Sequence, residues 1–497
     1  MKSTILNNTL ITAFERIVLL ITSLVFVSLF INKVGADIYG IYLILSMLSI
    51  FGSLNIFDLG LEVSMQYYIS FYQNHKRIKS LIMYYGFVLY FILGSILATV
   101  LYIFDATIVS SISSISIGTQ ELTDIIHIVI LNLFLQFIML SFKSTLEGLR
   151  FFIITRTLNT IFIVIQSVLI ILVLYISNSI LHVFQIIFIM TLLNTIVLSY
   201  FLIKNADLTL KNTNLFKKRN LIFLKKISIY SLEVFSTRIV GFIFNQTDKL
   251  LIWKFLTPMW MTIYDIVTKP IMPLRMITQV LNSALIPEVA NEHKNKNNKK
   301  ILLIYLRFVK YAYILIIPIS FLLMFYLDTL ITVWISEEYA QYSNLSIIII
   351  FTYLALPIAA IAGTVITGLK EVKKTLLFIN IAAVINLGLS IYFLDSMGIA
   401  GLLLATLIAG YYLLAPYNKL LEKTLGLKTK VFRRTFKLFL FHLPLTGILI
   451  LAKLYLPNLI GIILSLFLVI IQYGLNYNYI LSKKEKTVIK SKIRKRE

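Results

Sequence analysis

The stretch NQTDKLLIWKFLTPMWMTIYDIVTKP, Asn245 to Pro270, sets Asp248, Lys249, Lys254, Asp265 and Lys269 into sequence that otherwise reads as hydrocarbon. On either side of it, apolar blocks of about 20 residues recur along the chain, the length that crosses a bilayer core about 30 Å thick. The 497 residues are 59% hydrophobic and 14% charged, with a mean hydropathy of +0.89. Soluble domains carry roughly 45–50% apolar and about 25% charged residues. The composition therefore predicts an all-α integral membrane protein and excludes a cytoplasmic enzyme. Cysteine is absent, which rules out disulfides and thiolate-held metals, and the five histidines are scattered singly. No metal site and no cofactor are expected. The first apolar run, about Ile5 to Ile31, exceeds a signal-peptide core and reads as a first span.

Hydropathy predicts fourteen spans, near 8–31, 40–65, 81–104, 123–142, 151–176, 179–203, 227–252, 259–288, 302–326, 342–367, 375–394, 398–418, 436–454 and 459–482. The loops between them alternate in charge. One set holds roughly 36 of the 46 Lys and Arg residues; the other holds Lys33, Lys254 and Lys453 among several carboxylates. This asymmetry places both termini in the cytoplasm. It also explains the net charge of +24 as topology and attraction to lipid headgroups, so no nucleic-acid partner is expected. The outer loops are too short for a folded catalytic module, which weighs against a membrane-embedded polysaccharide polymerase or transferase; no enzyme activity is expected.

Internal symmetry points to the binding site of a transporter. LFINKVGADIYGIYLIL (Leu29 to Leu45) and LLIWKFLTPMWMTIYDIV (Leu250 to Val267) share a helix end, a lysine, a short loop and an Ile-Tyr pair, offset by about 221 residues. Spans 1 and 7 enter from the same side, which predicts two parallel six-helix lobes, 1–203 and 227–420. A basic linker (204–226) joins them, and two further spans (421–482) and a basic tail (483–497) follow. The same offset aligns Arg16 with Arg238 to within one residue, on the order of 12 and 17 Å into their spans; Lys269 lies at a similar depth. A cation at the bilayer centre costs at least about 2.5–3.5 kcal/mol. These groups either pair with acids in the membrane or line a wet cavity. Polar stripes bear on the choice: Arg238, Gly241, Asn245 and Lys249 on span 7; Asp265, Lys269, Met272, Met276 and Gln279 on span 8; Asn55, Asp58, Glu62 and Gln66 on span 2. The candidate substrate-binding set is Arg16, Arg238, Asn245, Lys249, Lys269 and Arg275. Asp58, Glu62 and Asp265 are candidates for coupling to H+ or Na+.

VGADIYGIYLILSMLSIFGSLNIFDLGLEVSM, the Asn245–Leu274 segment, ALIPEVAN and GIAGLLLAT together resemble bacterial polysaccharide and O-antigen flippases of the multidrug/oligosaccharidyl-lipid/polysaccharide exporter superfamily. The resemblance covers most of the first 420 residues. It implies a fourteen-helix, two-lobed transporter of the inner membrane that turns an undecaprenyl-diphosphate-linked oligosaccharide to the outer leaflet by alternating access, with membrane lipids and polysaccharide polymerase or assembly proteins as partners. It also implies a hydrated, cation-lined cavity, where Arg16, Arg238 and Lys269 would stand. The carboxylates Glu15, Asp58, Glu62, Glu233, Asp248 and Asp265 make the field mixed. A multidrug cation antiporter of the same superfamily is the nearest alternative, and a channel or scaffold is more remote. No G-x-x-x-x-G-K-[ST] loop is present to hydrolyse ATP.

Overall fold

Apolar residues at helical spacing and few interior breakers give helices almost throughout. The computed structural model describes residues 2–49, 52–112, 117–177, 179–205, 218–369, 371, 373–456, 458–483 and 485–487. Within these, side chains are not described at 2–14, 53–55, 218–219, 221–223, 236–237, 240, 244–245, 283–284, 286–287, 290–291 and 458–459. Most of the predicted linker and tail, and the side chains of Asn55 and Asn245, therefore lie outside the described residues. The described elements are all helical.

The chain divides into two compact units, Met1–Thr262 and Ile263–Glu497. The first contains α1 (Lys2–Val34), α2 (Ala36–Met47), a 3-10 turn (Ser53–Asp58), α3 (Leu61–Phe71), α4 (Lys76–Ile103), α5 (Asp105–Ile112), α6 (Thr119–Gly148), α7 (Phe152–Ser177), α8 (Ile180–Asn205) and α9 (Lys218–Phe255). The chain passes to the second unit within α10 (Pro258–Thr268). A second 3-10 turn (Lys269–Ile271) follows, then α11 (Met272–Lys294), α12 (Asn298–Trp334), α13 (Glu337–Ala340), α14 (Ser343–Gly368), α15 (Lys373–Met397), α16 (Ile399–Leu425), α17 (Val431–Tyr455) and α18 (Asn458–Leu475). The boundary puts α9 with the first unit, where it packs on α3 and the first 3-10 turn.

Eleven described helices are long and apolar enough to cross a membrane. The three other predicted spans are those carrying the polar stripes. Span 2 is broken into α2, the 3-10 turn and α3; span 8 into α10, the second 3-10 turn and α11. Span 7 is the 38-residue α9, whose many polar and charged residues keep it outside the apolar set. Both breaks have local causes. Leu59 and Gly60 are left-handed (φ 51° and 75°), and a Cβ on residue 60 would run into the Ser231 carbonyl. Pro270 and Pro273 lack the N–H that a continuous helix needs. The same order of elements therefore occurs twice: long helix, short loop, short helix, 3-10 turn, helix. The short helices α2 and α10 correspond under the sequence offset. Gly40 on α2 packs against the Pro258 backbone at the head of α10 so closely that a Cβ would clash.

In lipid, burial of apolar surface does little to draw helices together, so small residues and close packing must do it. In the first unit, Gly86 seats Met65, Gly94 lies against Phe137 and Gly148 meets Ile69. These contacts join α3, α4 and α6 in a core of Leu61, Met65, Ile69, Leu81, Ile82, Tyr90, Leu133, Phe137 and Leu140, capped by Leu224 and Ile227 of α9. In the second unit α12 packs on α14, α17 and α18. Tyr313 Oη donates to the Leu354 carbonyl (2.8 Å), and Ser346 Oγ to that of Val267 (2.9 Å). Positions such as Ile17, Ile21 and Val25 on α1 stay exposed as an apolar stripe. Beyond α18, Glu485 accepts from Lys310 Nζ through both carboxylate oxygens (2.8 and 2.7 Å), from Tyr311 Oη (2.9 Å) and from the Ser482 backbone N–H (2.7 Å). Burial opposes its ionisation, but these donors, Lys310 foremost, bring its carboxyl down to about 2.

Candidate functional site

The first unit holds a charge cluster where the broken span 2 meets α9. The 3-10 turn ends at Asp58, whose carboxylate takes the N–H of Gly60 (2.9 Å) and of Glu62 (3.3 Å), so the left-handed step at residues 59–60 organises the acid. Arg238 of α9 reaches across: Nη1 to Asp58 Oδ1 at 2.8 Å, and Nη2 to Glu62 Oε2 at 3.4 Å. Ser231 Oγ on the Leu59 carbonyl (2.6 Å) and Ser64 Oγ on that of Ile227 (3.1 Å) pin the two segments together. Lys143 of α6 lies 3.5 Å from Glu62 Oε1. Glu147, one turn on, is buried and accepts from Gln66 Nε2 (2.7 Å) and Thr155 Oγ1 (3.2 Å). Arg156 of α7 stands 3.9 Å from Glu15 of α1. Cations and carboxylates thus alternate through the cluster. The Asp58 side chain is 2% exposed, that of Glu62 23% and that of Arg238 30%, so Asp58 is the buried member of the three.

In the second unit Lys269 pairs with Asp265 at 2.7 Å, a one-turn arrangement across the start of the second 3-10 turn. Arg16, Lys249 and Arg275 are partly buried and none stands free. The structure therefore brings Arg238, Asp58 and Glu62 together, and Lys269 with Asp265; the Asn245 side chain lies outside the described residues. Gln66, from the polar stripe of span 2, joins the cluster too; Lys143, Glu147 and Thr155 belong to it without having been singled out in the sequence.

A second feature, a cavity of about 390 Å³ among α2, α6, α7 and α8, was not foreseen. Its polar lining includes Ser49, Asn132, Gln136, Asn159, Gln166, Thr191 and Asn194, with the rings of Tyr42, Phe162 and Phe184; among the described residues no Asp, Glu, Lys, Arg or His lines it. Ser49 Oγ donates to Gln136 Oε1 (2.8 Å), fixing that amide. Asn132 (7% exposed) and Asn194 (5%) each leave Oδ1 without a partner among the described residues. Such an orphan typically costs about 1–3 kcal/mol. The signal in sequence was amides at helical spacing within apolar spans: Asn132 and Gln136, Asn159 and Gln166.

A helical membrane protein with broken, charged spans recurring in two halves has the fold of the exporter superfamily's transporters. Solved structures agree. "Lipid II flippase MurJ, inward closed conformation" matches with a TM-score of 0.72 at 16% identity, covering 95% of this chain and 99% of that one. An inward-facing multidrug resistance MATE family transporter of the MOP superfamily matches with 0.66 at 12%, covering 82% and 94%. A MOP superfamily transporter from Pyrococcus furiosus, titled for the reverse polarity of its binding pocket, matches with 0.52 at 14%, covering 82% and 95%. No curated protein matches the chain significantly by sequence. The family model for "Polysaccharide biosynthesis protein" matches residues 17–344, and the chain belongs to that family.

Proposed function

We propose that this protein is a flippase that carries an undecaprenyl-diphosphate-linked oligosaccharide across the bacterial inner membrane, from the cytoplasmic to the outer leaflet, by alternating access. The observation that carries the reading is Arg238, a partly exposed side chain of α9 held by two carboxylates, in a chain of the polysaccharide biosynthesis family. A sugar diphosphate cannot cross hydrocarbon, where each unsatisfied polar group costs several kcal/mol. Guanidinium binds carboxylate and phosphate with the same planar fork. Asp58 and Glu62 hold Arg238 as the diphosphate would, keeping it solvated by protein until the headgroup displaces them. Arg16, Lys249, Lys269, Arg275 and Asn245 are proposed as further headgroup contacts. Asp58, Glu62 and Asp265 are proposed as carriers of the driving H+ or Na+, each exposed to an ion when its base leaves. Both termini face the cytoplasm in this reading.

Arg238→Ala should abolish surface polysaccharide and accumulate undecaprenyl-linked oligosaccharide while the protein still inserts; Arg238→Lys should retain part of the activity. Normal glycan levels from normally expressed Arg238→Ala would remove Arg238 from the cargo path. A multidrug cation exporter is the second reading, favoured by the carboxylates Asp58, Glu62 and Glu147 in the membrane-depth cluster. Deleting such an exporter would change drug susceptibility and leave lipid-linked oligosaccharide levels unchanged.

A further inference from the structure

We infer that the uncharged cavity of the first unit is a saccharide subsite, taking one neutral hexose or N-acetylhexosamine residue. The choice of sugar as ligand class rests on the flippase reading above; the existence of a neutral polar site rests on the cavity itself. Its volume, about 390 Å³, lies within the roughly 300–1,000 Å³ of small-molecule pockets. Because its described lining carries no Asp, Glu, Lys, Arg or His, neither a phosphate nor an organic cation finds a counter-charge there. The lining instead offers side-chain amides, each both donor and acceptor, which is the pattern that matches a ring of hydroxyls.

Two of those amides, Asn132 and Asn194, are more than nine-tenths buried and carry carbonyl oxygens without partners, as a site waiting for an O–H or an acetamido N–H would. Phe162, Phe184 and Tyr42 supply flat apolar faces for the C–H side of a pyranose, and Tyr42 and Phe184 are already packed together at 5.9 Å between centroids. The Ser49–Gln136 hydrogen bond holds a third amide in place. The cavity thus divides the work with the charge cluster: fixed charges meet the diphosphate, and neutral amides read the sugar.

Saturation-transfer NMR on the full chain in detergent tests this, with methyl N-acetyl-β-glucosaminide and methyl β-glucoside at millimolar concentration as probes. Transfer to the ring protons of at least one glycoside is expected. It should fall at least fivefold in Asn132→Leu/Asn194→Leu and about twofold in Asn159→Leu, a milder change at a partly exposed wall position. Tetraphenylphosphonium should not compete. No transfer to either glycoside, transfer unchanged in a double variant that melts as the wild type does, transfer unchanged in Asn159→Leu, or displacement by the cation would each overturn the subsite. The probes carry neither diphosphate nor lipid. Glycoside binding in a protein whose loss leaves lipid-linked oligosaccharide unchanged would therefore refute the flippase and keep the subsite, and the opposite pair of results would do the reverse.

Discussion

The charge cluster and the neutral cavity lie in the same unit and solve opposite problems. Around Arg238 every described ionic group meets a counter-charge or a donor: Asp58 alone is approached by a guanidinium and two backbone N–H groups. Among the described residues lining the cavity with Asn132 and Asn194 none is charged, and two acceptors are left over. A cluster already satisfied must exchange partners to bind anything, and exchange is what a cycling transporter requires. An unsatisfied cavity needs only to be filled. In the proposed flippase, cargo capture would combine a switchable ionic contact with a static neutral one, and the difference gives the two sites opposite responses to mutation.

The largest expected effect is at the cluster. Asp58→Leu leaves Arg238 with the more distant Glu62 as its described carboxylate partner; breaking a buried pair costs about 3–5 kcal/mol, and the partial exposure of Arg238 and its contact with Glu62 bring the expectation to about 2–3 kcal/mol. Asp58→Leu/Arg238→Met should recover most of that loss, since apolar replacement of a buried pair is often neutral. Thermal unfolding in detergent of both single variants and the double closes the cycle, and additive losses would show that the pair is not coupled. Next comes the backbone step that shapes the cluster. Gly60→Ala forces a Cβ onto the Ser231 carbonyl at positive φ and should cost about 1–3 kcal/mol in the same assay.

At the cavity the sign reverses. Asn132→Leu removes an unsatisfied buried amide and should stabilise the protein by about 1 kcal/mol while impairing transport, the exchange expected where function holds a strained site open. If Asn132→Leu destabilises as strongly as Asp58→Leu, the contrast between the two sites fails. The smallest effect is far from both. Glu485 ionises near pH 2, below its ordinary value near 4.5, so its contribution is present above 4.5 and is lost as pH falls toward 2. Protease access to the tail should therefore stay constant from pH 7 to 5, whereas Glu485→Gln should raise it at pH 7.

Much of this was legible in the chain. Eleven spans follow from apolar length alone, and the positions of Asp58, Glu62, Arg238, Asp265 and Lys269 marked the three segments whose polarity sets them apart. The i,i+4 pair Asp265–Lys269 follows from helical geometry. The partners of Arg238 did not: they come from 176 and 180 positions away, where helical spacing carries no information. The break at Leu59–Gly60 was likewise hidden, because a glycine in an apolar run does not announce a left-handed turn until α9 is seen packed on it. The cavity escaped for a related reason. Its amides lie on separate helices, and each alone reads as an interhelical hydrogen bond.

Transport of the headgroup itself is the claim on which the rest depends, and vesicles test it most directly. The purified protein would be reconstituted with undecaprenyl-diphosphate oligosaccharide in the inner leaflet only, under an imposed H+ or Na+ gradient, and sugar appearing outside would be measured with an impermeant glycosidase. Outward movement with wild-type protein, absent with Arg238→Ala, is the predicted result. An intact, correctly folded wild-type protein that leaves the sugar inside under both gradients, or an Arg238→Ala variant that moves it equally fast, would contradict the account.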